Sequence, residues 1–133
     1  MTRTLRPAAA CTSLLLAGLL LVACGGGGGG GGQQGYVPPK GAAQETISIS
    51  AKNFSFTPNT ITTKPGIAEI SLTSTGGEHD LVFDNDKVPG FQLDAETGQT
   101  DSKKVDLKPG KYTFYCSITG HRQAGMVGTI TVK

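Results

Sequence analysis

The sequence predicts an all-β fold, an antiparallel sandwich or small barrel, on three observations. Apolar residues alternate with polar ones in short runs, proline and glycine turn signals separate those runs at roughly eight- to twelve-residue spacing, and no stretch sustains a helical period. Ile47 and Ile49 form the first run, and Phe54 with Phe56 the next. Thr57-Pro58-Asn59 turns the chain, Ile61 starts a third stretch, and Lys64-Pro65-Gly66 turns it again. Ala68, Ile70 and Leu72 continue the alternation, and Leu81 and Phe83 follow His79. Val105 and Leu107 lead into Lys108-Pro109-Gly110, after which Tyr112, Phe114 and Cys116 share one strand face. Ile130 and Val132 form the last run. The polar segment 85–102, carrying Pro89, Gly90 and Gly98, is expected to be a long excursion with one helical turn.

The front of the chain is targeting sequence and belongs to no fold. Arg3 and Arg6 precede an apolar stretch from Leu14 to Val22, about half of the roughly 20 residues a spanning helix needs. Leu21-Val22-Ala23-Cys24 resembles the lipobox of bacterial lipoproteins. That resemblance implies a signal peptide over 1–23, lipidation of Cys24, and a lipid-anchored protein of the cell envelope, periplasmic or on the outer face. An uninterrupted glycine run, Gly25 to Gly32, then opens a segment expected to behave as a flexible tether over 24–44. Its 20 residues from Gly25 to Gln44 would reach about 25 Å as a random coil. The folded domain is expected over 45–133.

Charge and cysteine usage narrow the function. The formal net charge of +2 falls to neutral once Arg3 and Arg6 leave with the signal, so no basic stripe remains to bind nucleic acid. Cys11 leaves as well, and lipidation would occupy Cys24. Cys116 is then a lone thiol in an oxidising compartment, where a structural cysteine would have a disulfide partner.

The mature part holds two histidines, one unmodified cysteine and one methionine, and three of these four fall within Cys116-Ser117-Ile118-Thr119-Gly120-His121-Arg122-Gln123-Ala124-Gly125-Met126. His79 lies 37 positions before Cys116, also at a strand boundary. Two imidazoles and a thiolate with a weak, long methionine contact form a blue-copper site. Its soft sulfur ligands suit Cu(I) and its imidazoles also suit Cu(II), so an electron can enter or leave with little rearrangement.

Tyr112-Thr113-Phe114-Tyr115-Cys116-Ser117 and Ala124-Gly125-Met126-Val127-Gly128 resemble the strand and loop end that frame the metal in the small blue-copper proteins, the plastocyanin and azurin family. Phe54-Ser55-Phe56-Thr57-Pro58 and the His79 strand match more loosely, and the similarity covers about 45–133. It implies a Greek-key β-sandwich of cupredoxin type, with one copper ion held by His79, Cys116, His121 and Met126. The implied activity is single-electron transfer between redox donor and acceptor proteins by a monomer that is not an enzyme.

Two features depart from plastocyanins. Four residues separate Cys116 from His121 and four more separate His121 from Met126, a longer spacing like that of rusticyanin. Asp80 stands where many relatives have asparagine, and an ionised carboxylate can only accept hydrogen bonds. It is expected to accept from the backbone or hydroxyl of Ser117 and to favour Cu(II). Tyr115 reads as sheet surface, although it resembles an exposed tyrosine that plastocyanins use near partners. Arg122 reads as a solvated charge or as a contact for an acidic partner. Copper delivery is the alternative function, disfavoured by a closed ligand set. A copper enzyme would need centres that two histidines cannot furnish, and zinc sites rarely recruit methionine.

Overall fold

The computed structural model describes residues 35–133 apart from Asn85, so the signal peptide, Cys24 and most of the expected tether lie outside the described residues. Nine strands and no helix occur among them: β1 (Glu45–Lys52), β2 (Ser55–Thr57), β3 (Thr60–Thr63), β4 (Gly66–Gly76), β5 (His79–Phe83), β6 (Gln92–Ala95), β7 (Thr100–Leu107), β8 (Gly110–Tyr115) and β9 (Val127–Val132). They form two sheets, ordered β2-β1-β4-β7 and β3-β9-β8-β5-β6. The pairs β1/β4 and β3/β9 are parallel and the others antiparallel. The all-β sandwich expected from the sequence is therefore present.

Period-two alternation explains the packing, because successive strand side chains point to opposite faces. Ile47, Ile49 and Ala51 of β1, Ala68, Ile70 and Leu72 of β4, and Val105 and Leu107 of β7 are buried from one sheet. Leu81, Leu93, Phe114, Ile130 and Val132 meet them from the other. Phe114 and Gly128 are paired residues of β8 and β9, and a Cβ built on Gly128 would lie 2.2 Å from the Phe114 ring. Glycine is required there by the close approach of the aromatic face.

Three expectations are corrected. Segment 85–102 is not one excursion: it contains β6 and the start of β7, with Phe91, Leu93 and Ala95 buried in alternation. A turn closed by Phe91 N–H to Val88 C=O at 3.2 Å stands where a helical turn was expected. Phe54 does not point inward with Phe56. It lies in the β1–β2 turn, where it and Asn53 have φ of 61° and 49°, and it is 49% exposed. Two adjacent left-handed residues reverse the strand alternation locally and swing the ring outward.

Residues 36–44 also lie on the domain, which shortens the stretch expected to be flexible. The Tyr36 ring packs edge-on against Phe91 at 5.1 Å, and its hydroxyl donates to the Lys104 carbonyl at 2.7 Å. Lys104 Nζ donates to the Gly41 carbonyl at 2.7 Å, and Gln44 N–H to Ile67 C=O at 2.7 Å. Phe91 precedes β6 and Lys104 belongs to β7, the edge strands of the two sheets, so this strap crosses the seam between them.

Candidate metal centre

Strand ends and one loop bring the donors together. His79 opens β5, and Cys116 follows the last residue of β8, continuing the inward register of Tyr112 and Phe114. The loop between β8 and β9 then folds back on itself. Cys116 N–H donates to Met126 C=O at 3.2 Å, closing its base, and Met126 N–H donates to His121 C=O at 3.0 Å. Further bonds from His121 N–H to Ile118 C=O and from Ala124 N–H to Gly120 C=O, each 3.0 Å, shape the interior. Gly120 and Gly125, at φ of 88° and 97°, supply the left-handed turns this compact path requires.

One donor atom from each of His79, Cys116 and His121 lies within 4.8 Å of the other two. Cys116 Sγ is 3.2 Å from His121 Nδ1, and the two imidazole centroids are 5.2 Å apart. His79, Cys116 and Met126 are buried, while His121 is partly exposed. Three of the four residues expected to hold the metal thus form one cluster, and Met126 is tied to Cys116 and His121 through its backbone.

The hydrogen bonding of His79 tests whether a metal fits. Its Nε2 lies 2.8 Å from the Gly76 carbonyl, which can only accept, so the ring proton sits on Nε2. Nδ1 is then a bare lone pair, and it is the one buried side-chain nitrogen or oxygen among the described residues without a hydrogen-bond partner. A buried acceptor is costly to leave unsatisfied. A carbonyl fixing the distal ring nitrogen is the usual support of a ligating imidazole. Together with a thiol and a second imidazole, this orphaned nitrogen fits a single copper ion.

Burial pushes the Cys116 thiol up to about 11. Backbone N–H groups of Asp80 and Ile118 directed at the sulfur pull it partly back, and the Asp80 carboxylate opposes them. Asp80 is itself buried and accepts from both Ser117 N–H and Ser117 Oγ–H, joining the β5 end to the start of the loop. The expected Asp80–Ser117 contact is present in both of its forms.

Two contacts were not legible beforehand. The Phe54 ring stands edge-on to the His121 imidazole at 4.8 Å. No sequence signal marked it, since the alternation placed it in the core. Arg122 lies over the Tyr115 ring at 4.0 Å and bonds Asp84 at 2.9 Å, so it is engaged within the molecule.

Comparison with known proteins agrees with this geometry. The family described as "Copper binding proteins, plastocyanin/azurin family" matches residues 43–133. Plastocyanin of Vicia faba is 35% identical over 98 residues, covering 65% of this chain and 96% of that protein. The chloroplastic plastocyanin of Pisum sativum is 33% identical over 104 residues, covering 69% of this chain but only 60% of the relative's own length. The solved structure of auracyanin B superposes with a TM-score of 0.63 at 17% identity, over 74% of this chain and 96% of that one, a likeness of fold. A copper-compatible donor cluster at one end of a two-sheet sandwich, and a family match spanning all nine strands, establish that the chain belongs to the plastocyanin/azurin family of copper-binding electron-transfer proteins.

Proposed function

We propose that this protein carries single electrons between redox partners in a bacterial cell envelope. In this reading one copper ion is held by His79 Nδ1, Cys116 Sγ, His121 Nδ1 and the thioether of Met126. The observation that carries it is the orphaned Nδ1 of His79 beside a thiol and a second imidazole, with donor atoms within 4.8 Å of each other. When bound, the metal supplies a one-electron couple between Cu(I) and Cu(II).

The chain's own groups do the rest. Gly76 C=O fixes the ring of His79. Cys116 gives up its proton to bind as thiolate, and the Asp80 and Ile118 N–H groups aimed at its sulfur stabilise that negative charge. Asp80 and the Cys116–Met126 bond hold the loop to the sandwich, so the donors keep one arrangement through a redox cycle. His121, partly exposed and flanked by Gly120, is where an electron would enter and leave.

The same reading makes residues 1–23 a signal peptide and Cys24 a lipidated N-terminus that holds the domain to a membrane. Copper delivery to another protein is the alternative, and the buried positions of His79, Cys116 and Met126 oppose the ready ligand exchange it needs.

Copper titration of the full-length protein, followed by visible and paramagnetic resonance spectra, is the test. One equivalent of Cu(II) should produce an intense thiolate-to-copper band near roughly 600 nm, absent in Cys116→Ser. A colourless protein that binds Cu(I) and passes it to an acceptor would establish delivery instead.

A further inference from the structure

We propose that Thr97 is a positioning residue for the metal centre. Through one shared peptide group it holds His79 in the tautomer and orientation that leave Nδ1 free to bind copper. This rests on the electron-carrier reading, in which Nδ1 is the ligating atom, and adds a residue that touches neither the metal nor the ring.

β4 ends at Gly76 and β5 opens at His79, so the peptide joining Gly76 to Gly77 has glycine on both sides. Its carbonyl, on Gly76, lies 2.8 Å from His79 Nε2. Its N–H, on Gly77, donates to Thr97 Oγ1 at 2.8 Å. The two bonds leave opposite edges of one planar trans unit, so fixing the N–H on Thr97 fixes the direction of the carbonyl. With no Cβ on either glycine, and Gly77 at φ of 88°, sterics alone would not stop this peptide from turning over. A turned peptide would present an N–H to Nε2 and release the ring.

Thr97 lies in the turn between β6 and β7, and that turn is bound back to β4. Ser74 N–H donates to Gln99 C=O at 3.0 Å, and Gly98 N–H donates to Ser74 C=O at 2.8 Å. The hydroxyl of Ser74, which is fully buried, donates to Gly77 C=O at 2.6 Å and accepts from Gly76 N–H at 3.3 Å. The peptide is therefore gripped through the groups on either side of it, and Thr97 holds the N–H that sets its direction. Hydrogen bonds in a row also polarise one another. The bond accepted by Thr97 makes Gly76 C=O a stronger acceptor for the Nε2 proton, which raises the basicity of Nδ1. A more basic imidazole favours Cu(II) and lowers the reduction potential.

Nitrogen NMR of the copper-free protein reads the imidazole directly. Wild-type His79 should be a single tautomer whose Nε2 proton exchanges slowly with water. Thr97→Val keeps the shape of the side chain and removes the acceptor, and because Thr97 is exposed no core packing is lost. In that variant the second tautomer should appear and Nε2 exchange should quicken about fivefold, the loss of one net hydrogen bond. Affinity for Cu(II) should fall about tenfold, as when a group that orients a ligand is removed, and voltammetry should show a higher potential. Thr97→Ser restores the acceptor and should return all of these to wild-type values; Thr97→Ala replaces the valine variant if that does not fold. Thr100→Val is the control, since it deletes an exposed hydroxyl paired with Thr73 Oγ1 at 2.7 Å, between β4 and β7 and away from the imidazole. A wild-type tautomer and exchange rate in Thr97→Val, or equal changes in Thr100→Val, overturn the proposal. A wild type that binds no copper overturns the carrier reading instead, and the copper-free spectra still decide whether Thr97 holds the ring.

Discussion

Burial keeps the Cys116 proton in place: the residue is fully buried and its thiol is pushed up to about 11. Copper must displace that proton, so an unbuffered copper titration should release one proton per site, and apparent affinity should rise about tenfold per pH unit between about pH 7 and 10. Release of no proton would mean the sulfur is not a ligand. The metal-free protein carries the opposite linkage. Because the folded value lies above the ordinary value of 9.0, stability is fully present below about pH 9 and is lost as pH rises through about 11. Chemical denaturation of the metal-free protein at pH 8 and pH 11 checks this, with a lower midpoint expected at pH 11. Asp80 makes a separate prediction. Asp80→Asn can keep contacts to Ser117 while removing a buried negative charge, so the reduction potential should rise, on the order of tens of millivolts at an effective dielectric of about 20. An unchanged or lower potential by voltammetry would contradict the role assigned to that charge.

The strands themselves depend on close packing at their crossings. A methyl group on Gly128 would lie 2.2 Å from the ring of Phe114, which is fully buried and has no room to withdraw. Gly128→Ala should cost about 1–3 kcal/mol in urea denaturation, the range for overpacking a filled core. At the seam, Tyr36→Phe removes one hydroxyl bond to Lys104 C=O and should cost about 1 kcal/mol, with faster proteolysis within 36–44 as a second measure. Most of this architecture was legible. Period-two runs located eight of the nine strands in whole or part, because burial on one face imposes alternation directly on the sequence. β6 escaped notice because Leu93 and Ala95 are sparse apolar positions in a polar segment, where the turn residues Pro89, Gly90 and Gly98 dominate. Phe54 was misread because alternation says nothing of a left-handed turn. The cluster of His79, Cys116 and His121 was legible through its rarity, since few histidines and cysteines were available to choose from. Arg122 and Tyr115 were visible as residues but not as a pair, because stacking between a loop and a strand leaves no pattern along the chain.

For the molecule as a whole, metal binding and folding are linked. A ligand that binds only the folded state stabilises it by about 2.7 kcal/mol at a free concentration a hundred times its Kd. For a domain of this size that shifts Tm by about 10 °C or more. Copper should therefore raise the melting temperature of the wild type by at least that amount in calorimetry and leave Cys116→Ser little changed. Sheet order adds a temporal constraint. β9 lies between β3 and β8, so the second sheet cannot close until residues 127–132 are available to pair with residues 60–63, far back in the chain. Cys116, His121 and Met126 immediately precede that strand, and Cys116 N–H bonds Met126 C=O at the base where β8 and β9 diverge. An emerging polypeptide thus has no preformed cradle for copper during most of its synthesis. Loading belongs after the last strand has docked, which spares a growing chain from capturing a reactive ion in a half-built pocket.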